Sequence, residues 1–350
     1  MDLTRVKYGR KQAVPASPTT MQELSRMLGI SRVTISKVIN GRAGVAPDTR
    51  QRILAAIEAT GFRPNAPARD LRMKHTQRLG VVITGVKGWT FSNWYYGEYL
   101  RGILEEAEEA GFNITLYTHK ASPQLAEDTS QLVRAKEVDA VLMVGSNATK
   151  AQMQPLLDQG IPFIVLGALP EGIHTNSVYY DNSGGAKMAV EHLVSMGHRR
   201  IGLVGQITNS NQRFMSERIQ GAVTALRAAG LEPLGDGEQL VTIDELAHIF
   251  RTTGPCAAVT LIYTYDYVQK LLGLGLRIPN DVALVGFNYP ITVCLSPRLT
   301  IVEQPLVEIG RRAVQKVVEM LREQRAVTPT ELLPMRLVQR GAESSLVGYA

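Results

Sequence analysis

The sequence predicts a multidomain chain: a small all-α module of three short helices, then an α/β core of two doubly wound parallel-sheet subdomains. Three observations predict it. Periodicity changes along the chain: apolar residues recur at helical spacing over 19–62, and from residue 79 strand-like apolar runs alternate with amphipathic helices. Charge changes at the same place: residues 1–79 hold fifteen Lys+Arg against five Asp+Glu, and the remainder holds 23 against 27. The length of 350 residues suits more than one domain.

Residues 1–18 are polar and basic, close with PASP, and read as a disordered extension. Thr20 and Glu23, three apart, form a capping-box pattern for a first helix with Met21, Leu24, Met27 and Leu28 on one face and Gly29 as its stop. Ser31 caps a second helix, SRVTISKVIN, which Gly41 ends. Pro47 suits the first turn of a third, with Ile53, Leu54 and Ile57 inward and Gly61 as its stop. Residues 63–78, RPNAPARDLRMKHTQR, read as a linker in which Pro64 and Pro67 disfavour a long helix and ARDLRMK has room for a helical turn or two.

Strand expectations beyond the linker are LGVVIT, NITLYT, AVLMVG, PFIVLG, RRIGLVG, EQLVTI, AAVTLI and DVALVG. Between them helices are expected over 96–110, 124–136, 150–159, 213–229, 244–252 and 266–273. Apolar strands separated by helices make a parallel sheet covered on both faces. The units are too many for one compact sheet, so two subdomains are expected, with a ligand cleft at the carboxyl ends of strands.

Composition narrows the function. A chain 45% hydrophobic and 20% charged is ordinary for a globular protein, and no apolar run is long enough to span a bilayer. No apolar segment of signal-peptide type follows the basic start, which points to the cytoplasm. Cys256 and Cys294 read as free thiols. Walker, HExxH, GxSxG and GxGxxG patterns are all missing, which argues against an enzyme. His192 and His198 are six apart, off zinc-ligand spacing, so neither a metal nor a cofactor is expected. Gly184–Gly185 reads as close helix packing rather than a phosphate cradle, and Asp181 as a helix N-cap.

Two short helices joined by a turn at Gly29 have helix-turn-helix spacing, in which the second helix enters the DNA major groove. On that helix Ile35, Val38 and Ile39 share one face, and Arg32, Val33, Ser36 and Lys37 another. The alternative is a helical bundle with a solvated basic face. The basic excess favours DNA. Arg32 and Lys37 suit guanine O6/N7, Val33 suits a thymine methyl, and Thr34 and Ser36 suit phosphates.

The stretch from TTMQELSRMLGISRVTISKVINGRAGVAPDTR through PNAPARDLR resembles the DNA-binding headpiece of the LacI/GalR repressor family. The segments DNSGGAKMAVEHLVSMGHRRIGLVG, SERIQGAVTALRAAGL, LRIPNDVALVGFN and PRLTIVEQPLVEIGRRAV follow in that family's order, so the likeness covers about residues 19–341. The resemblance implies a lac-repressor-like headpiece over 19–66, a hinge helix or linker over 67–78, and a core of type I periplasmic-binding-protein form over 79–345. Its N-subdomain would take about 79–179 and 303–326, and its C-subdomain about 180–302 and 327–345.

The resemblance also implies site residues. For DNA they are Arg32, Val33, Thr34, Ser36, Lys37 and Asn40, with Leu71 as a wedge into the minor groove and Arg72 beside it. For the effector they are Tyr95, Tyr96, Arg218, Asp266 and Asn288, with Trp94 at the same helix start. Partners would be double-stranded operator DNA of pseudo-palindromic sequence, a small-molecule effector such as a sugar or related metabolite, and a second copy of the chain in a homodimer or a tetramer built from it; no membrane is implied. Two positions depart from the family: Asn288 stands where an aspartate is usual, and Tyr265–Asp266 where the family has Asn-Asp, ahead of a helix about five residues short. Both fall at the cleft and weigh against an ordinary sugar specificity. A solute-binding protein or a sugar-metabolising enzyme of the same core fold are the alternatives.

Overall fold

A computed structural model of the chain describes residues 20–39, 43–62, 75–84, 94–119, 125–145, 149–167, 169, 172–207, 212–235, 240–262, 264–287 and 299–339. The chain divides into two compact units, Met1–Thr76 and Gln77–Ala350. The expected N-terminal extension and most of the expected linker lie outside the described residues.

The first unit contains α1 (Met21–Leu28), α2 (Arg32–Ile39) and α3 (Pro47–Thr60). Thr20 Oγ1 accepts from the Glu23 backbone N–H at 3.2 Å, and a Glu23 carboxylate oxygen accepts from the Thr20 N–H at 3.2 Å, closing the capping box. Gly29 and Gly61 take left-handed backbone angles at the ends of α1 and α3, where a Cβ would be strained. Leu24, Ile35, Val38, Ile53 and Phe62 form a single buried cluster.

The second unit is built on two sheets. The first has the order β10-β5-β4-β3-β1-β2 and contains β1 (Arg78–Thr84), β2 (Asn113–His119), β3 (Ala140–Val144), β4 (Phe163–Leu166), β5 (Ser177–Tyr180) and β10 (Glu331–Leu333), all parallel. The second has the order β11-β9-β8-β7-β6, with β6 (Ile201–Val204), β7 (Cys256–Thr260), β8 (Val282–Phe287), β9 (Thr300–Glu303) and β11 (Arg336–Val338); only β11 is antiparallel. Side chains alternate across each sheet. In β1, Leu79, Val81 and Ile83 join the cluster that holds Tyr99 and Ile103 of α4 (Trp94–Glu109) and Ile309 and Ala313 of α11 (Leu306–Glu323). Val82 joins Ala126 of α5 (Leu125–Arg134) and Met153 of α6 (Lys150–Asp158) on the other face.

Around the second sheet, α7 (Asn182–Ser195) and α8 (Gln212–Ala228) cover one face, and α9 (Ile243–Thr253) and α10 (Thr264–Gly273) the other. Two helix pairs touch backbone to backbone through glycine. A Cβ on Gly102 of α4 would lie 1.9 Å from the Val307 carbonyl oxygen, and one on Gly221 of α8 would lie 2.1 Å from that of Ser183. Asp181 caps α7, Oδ1 accepting from the Gly184 N–H at 2.8 Å. A Cβ on Gly185 would come within 2.6 Å of Met335 Sδ, so this glycine serves close packing.

Two expectations differ from the structure. EQLVTI contributes one isolated bridge, Val204 with Val241, and Thr242 behind it opens α9 with a second capping box. The return to the second sheet falls later than residue 327: β10 still pairs with β5, and the chain joins the second sheet at β11. The strands β5, β9, β10 and β11 are three or four residues long, too short to show a period.

Candidate functional site

The candidate DNA surface is built from the buried side outward. Ile35 is fully buried and Val38 nearly so, which fixes α2 against α1 and α3. With that face inward, Arg32 and Lys37 are exposed, and Val33 is 67% exposed. An exposed β-branched aliphatic side chain between two cations has no packing role in this unit. Ser31 starts the helix: its Oγ accepts from the Thr34 N–H at 3.2 Å and lies 2.8 Å from the Thr34 hydroxyl. Thr34 is thus part of the cap, and a phosphate would share its hydroxyl with Ser31. Ser36 is half-buried. Asn40, Leu71 and Arg72 lie outside the described residues.

The second site centres on Arg218. The resemblance assigns Arg218 of SERIQG to the effector, with a surface ion pair as the alternative; the structure buries Arg218 to 3% exposure. Its neighbours Arg213 and Glu217 make the surface pair instead, at 3.1 Å. Arg218 Nε donates to Asn182 Oδ1 at 2.8 Å and Nη1 donates to the Leu261 carbonyl. Its guanidinium carbon lies 4.0 Å from the centre of the Phe287 ring and 4.9 Å from that of Phe214. Ring faces attract a cation that burial has stripped of water. Burial lowers the guanidinium's pKa, and the surrounding tyrosines oppose that shift.

Tyrosines bring the first subdomain to this cluster. The Tyr95 hydroxyl lies 3.1 Å from that of Tyr99 and 3.0 Å from that of Tyr180. Burial, then the neighbouring phenols, raises the Tyr95 pKa well above its ordinary value; burial does the same for Tyr99. Tyr96 packs edge-on against Tyr95, 5.7 Å between ring centres, and is half-buried. Tyr179 donates to Glu217 Oε2 at 2.7 Å, and Asn182 Nδ2 donates to the same oxygen at 2.9 Å. Arg213 Nη1 donates to the Leu169 carbonyl, which joins α8 of the second subdomain to the segment after β4 of the first.

The structure therefore brings Tyr95, Tyr96 and Arg218 into one region. Asp266 does not join them: it stands exposed in the first turn of α10. The inward residue of that turn is Thr264, which accepts from Thr260 Oγ1 at 2.9 Å and donates to the Phe287 carbonyl at 3.1 Å. Asn288 lies outside the described residues. Sequence reasoning missed Tyr99, Tyr180, Asn182, Glu217, Phe214 and Phe287. The doubled tyrosine ahead of Asp181 and Phe214, one helical turn before Arg218, were usable signals; Phe287 and the tyrosines come from positions far from Arg218 in the chain.

Comparison with known proteins identifies both domain types. Residues 20–65 match the domain described as bacterial regulatory proteins, lacI family, and residues 190–342 match the periplasmic binding protein-like domain. The chain is 28% identical over 336 residues to catabolite control protein A of Priestia megaterium, covering 91% of this chain and 97% of that one. It is 28% identical over 334 residues to the HTH-type transcriptional regulator CelR of Thermobifida fusca, covering 91% and 95%. A solved complex of the transcriptional regulator CelR with cellobiose superposes with a TM-score of 0.64 at 25% identity, covering 92% and 99%. The lac repressor dimer bound to operator and the anti-inducer ONPF superposes at 0.77 and 19% identity, covering 94% and 100%, a likeness of fold. With a lacI-type headpiece, a periplasmic-binding-protein-like core and full-length regulator relatives, the chain belongs to the LacI/GalR family of DNA-binding transcriptional regulators.

Proposed function

We propose that this regulator is a repressor that binds a pseudo-palindromic operator as a homodimer and answers to a small polar metabolite held in the cleft at Arg218. It acts in the cytoplasm, catalyses no reaction and needs no cofactor. The observation that carries the DNA half is the solvent face of α2, where Arg32, Val33 and Lys37 stand on a helix anchored from behind. Arg32 and Lys37 would contact base edges, Val33 a thymine methyl, Thr34, Ser36 and Asn40 the backbone, and Leu71 with Arg72 the minor groove at the operator centre.

The effector half rests on Arg218, a buried cation among phenols and phenylalanine rings, at a place where two subdomains meet. Tyr95 and Tyr96 stand with it, and Asn288 is the further residue the resemblance assigns to the ligand. A sugar or related metabolite fits aromatic faces and hydroxyl partners, and the relative that binds cellobiose in its solved complex supports that class. Among the described residues no helix is long and apolar enough to cross a membrane. Binding would change subdomain closure and so the pairing of hinge segments on DNA.

The test has two parts. Gel shifts with operator candidates should show preference for a pseudo-palindrome over random DNA, falling steeply with salt; equal affinity for both refutes the DNA reading. Thermal-shift screening with sugars, sugar phosphates and nucleosides should find a compound that also moves operator affinity in wild type and fails to do so in Arg218→Ala. A compound that moves both equally removes Arg218 from the site.

A further inference from the structure

A cavity of about 350 Å³ lies beside the Arg218 cluster without including Arg218 in its lining. That volume is at the lower end of small-molecule sites, which enclose ~300–1,000 Å³. Both subdomains supply its walls. Leu169, Ile173 and Leu332 supply apolar surface, Arg213, Glu217 and Asp181 charged groups, and Tyr179, Tyr180 and Asn182 polar ones. Thr330 lines it too, and its buried Oγ1 has no hydrogen-bond partner among the described residues.

We infer that this cavity is a second binding site, sharing Tyr180, Asn182 and Glu217 with the effector cluster but not Arg218, for a small zwitterion: a free α-amino acid with an aliphatic side chain. The lining selects for it. A phosphate or a simple carboxylate brings its charge against Glu217 and Asp181. An amine without a carboxylate offers Arg213 no anion and meets it as a like charge. A neutral sugar brings no charge to Arg213 or to the carboxylates. An amino acid answers all three features: its carboxylate takes the Arg213 fork, its ammonium takes Glu217 or Asp181, and its side chain covers Leu169, Ile173 and Leu332.

The site is wired to the regulator's moving parts. Arg213 holds the Leu169 carbonyl across the subdomains, and a ligand carboxylate competes for that guanidinium. Arg213 pairs with Glu217, Glu217 accepts from Asn182, and Asn182 accepts from Arg218. Repartnering at Arg213 therefore reaches the effector arginine through three hydrogen bonds. Only this coupling rests on the function proposed above; occupancy of the cavity does not.

The experiment is thermal unfolding and calorimetric titration of the full chain with L-leucine, L-isoleucine and L-valine at millimolar concentration. Leucinamide, which lacks the carboxylate, and 4-methylpentanoate, which lacks the ammonium, are the controls. At least one amino acid should raise the unfolding midpoint and both controls should not. Arg213→Met and Leu332→Trp should each abolish the shift. Leu332 is 59% exposed, so its replacement should leave folding and operator binding as in wild type. No shift with any of the three amino acids overturns the proposal, as does an equal shift with the controls. A shift lost in Arg218→Ala but kept in Leu332→Trp places the amino acid in the effector cleft; it overturns the second site and leaves the effector reading standing.

Discussion

The solvent face of α2 and the surroundings of Arg218 hold the side chains proposed to bind DNA and effector in opposite ways. On α2 the side chains proposed to read bases are exposed, and the helix is fixed by Ile35 and Val38 behind them. At the second site the guanidinium of Arg218, proposed to meet the effector, is buried, hydrogen-bonded and stacked, so it is also part of the core. The difference teaches where stability and function separate. Changes on α2 should alter binding and leave folding alone; changes at Arg218 should alter both.

The largest effect should come from Arg218→Ala. It leaves Asn182 Oδ1 and the Leu261 carbonyl without their donor, at ~1–3 kcal/mol for each buried orphan. Thermal unfolding should show a clearly lowered midpoint alongside the lost effector response; a wild-type midpoint would mean the cluster is decorative. Next is Gly102→Ala. Its Cβ would lie 1.9 Å from backbone, not from a side chain that can swing away, so α4 and α11 must separate at a cost of about 1–3 kcal/mol. Denaturant melts that match wild type would show that this crossing is looser than described.

Arg32→Ala and Lys37→Ala should each lose about 1–3 kcal/mol of operator binding with unfolding unchanged within about 0.5 kcal/mol. Binding and melting measured on the same samples separate the two; a matched loss of stability would put these side chains in the fold. Smallest is Tyr95→Phe, which removes one hydroxyl shared with Tyr99 and Tyr180 and should cost about 1 kcal/mol. It also changes the alkaline limit. The folded-state pKa values of Tyr95 and Tyr99 are raised, chiefly by burial. Their contribution is thus complete below the unfolded value of about 10 and is lost as pH rises past it. Stability above pH ~10 should fall less steeply in Tyr95→Phe; an unchanged slope would mean the phenol ionises freely in the fold.

The same contrast explains what was legible in the sequence. The headpiece is local: capping residues, stop glycines and apolar stripes lie within eight to fourteen residues of one another, so α1 to α3 follow from helical periodicity. The long buried strands were legible for the same reason. The Arg218 cluster was not. Asn182 is 36 residues away from Arg218, Leu261 is 43 away, and Tyr95 reaches Tyr180 across 85. No local pattern encodes such contacts. Asp266 shows the converse: the resemblance assigns it to the effector, yet the turn directs Thr264 inward and leaves the carboxylate exposed.

The most direct measurement is selection of DNA by the full chain from a pool of random pseudo-palindromes, run in parallel for wild type and Lys37→Ala. Wild type should enrich one pseudo-palindrome, and Lys37→Ala should keep its spacing while losing preference at one symmetric base position. Enrichment of no sequence by wild type, or of the same sequence equally by both, would contradict the claim that the solvent face of α2 reads the operator.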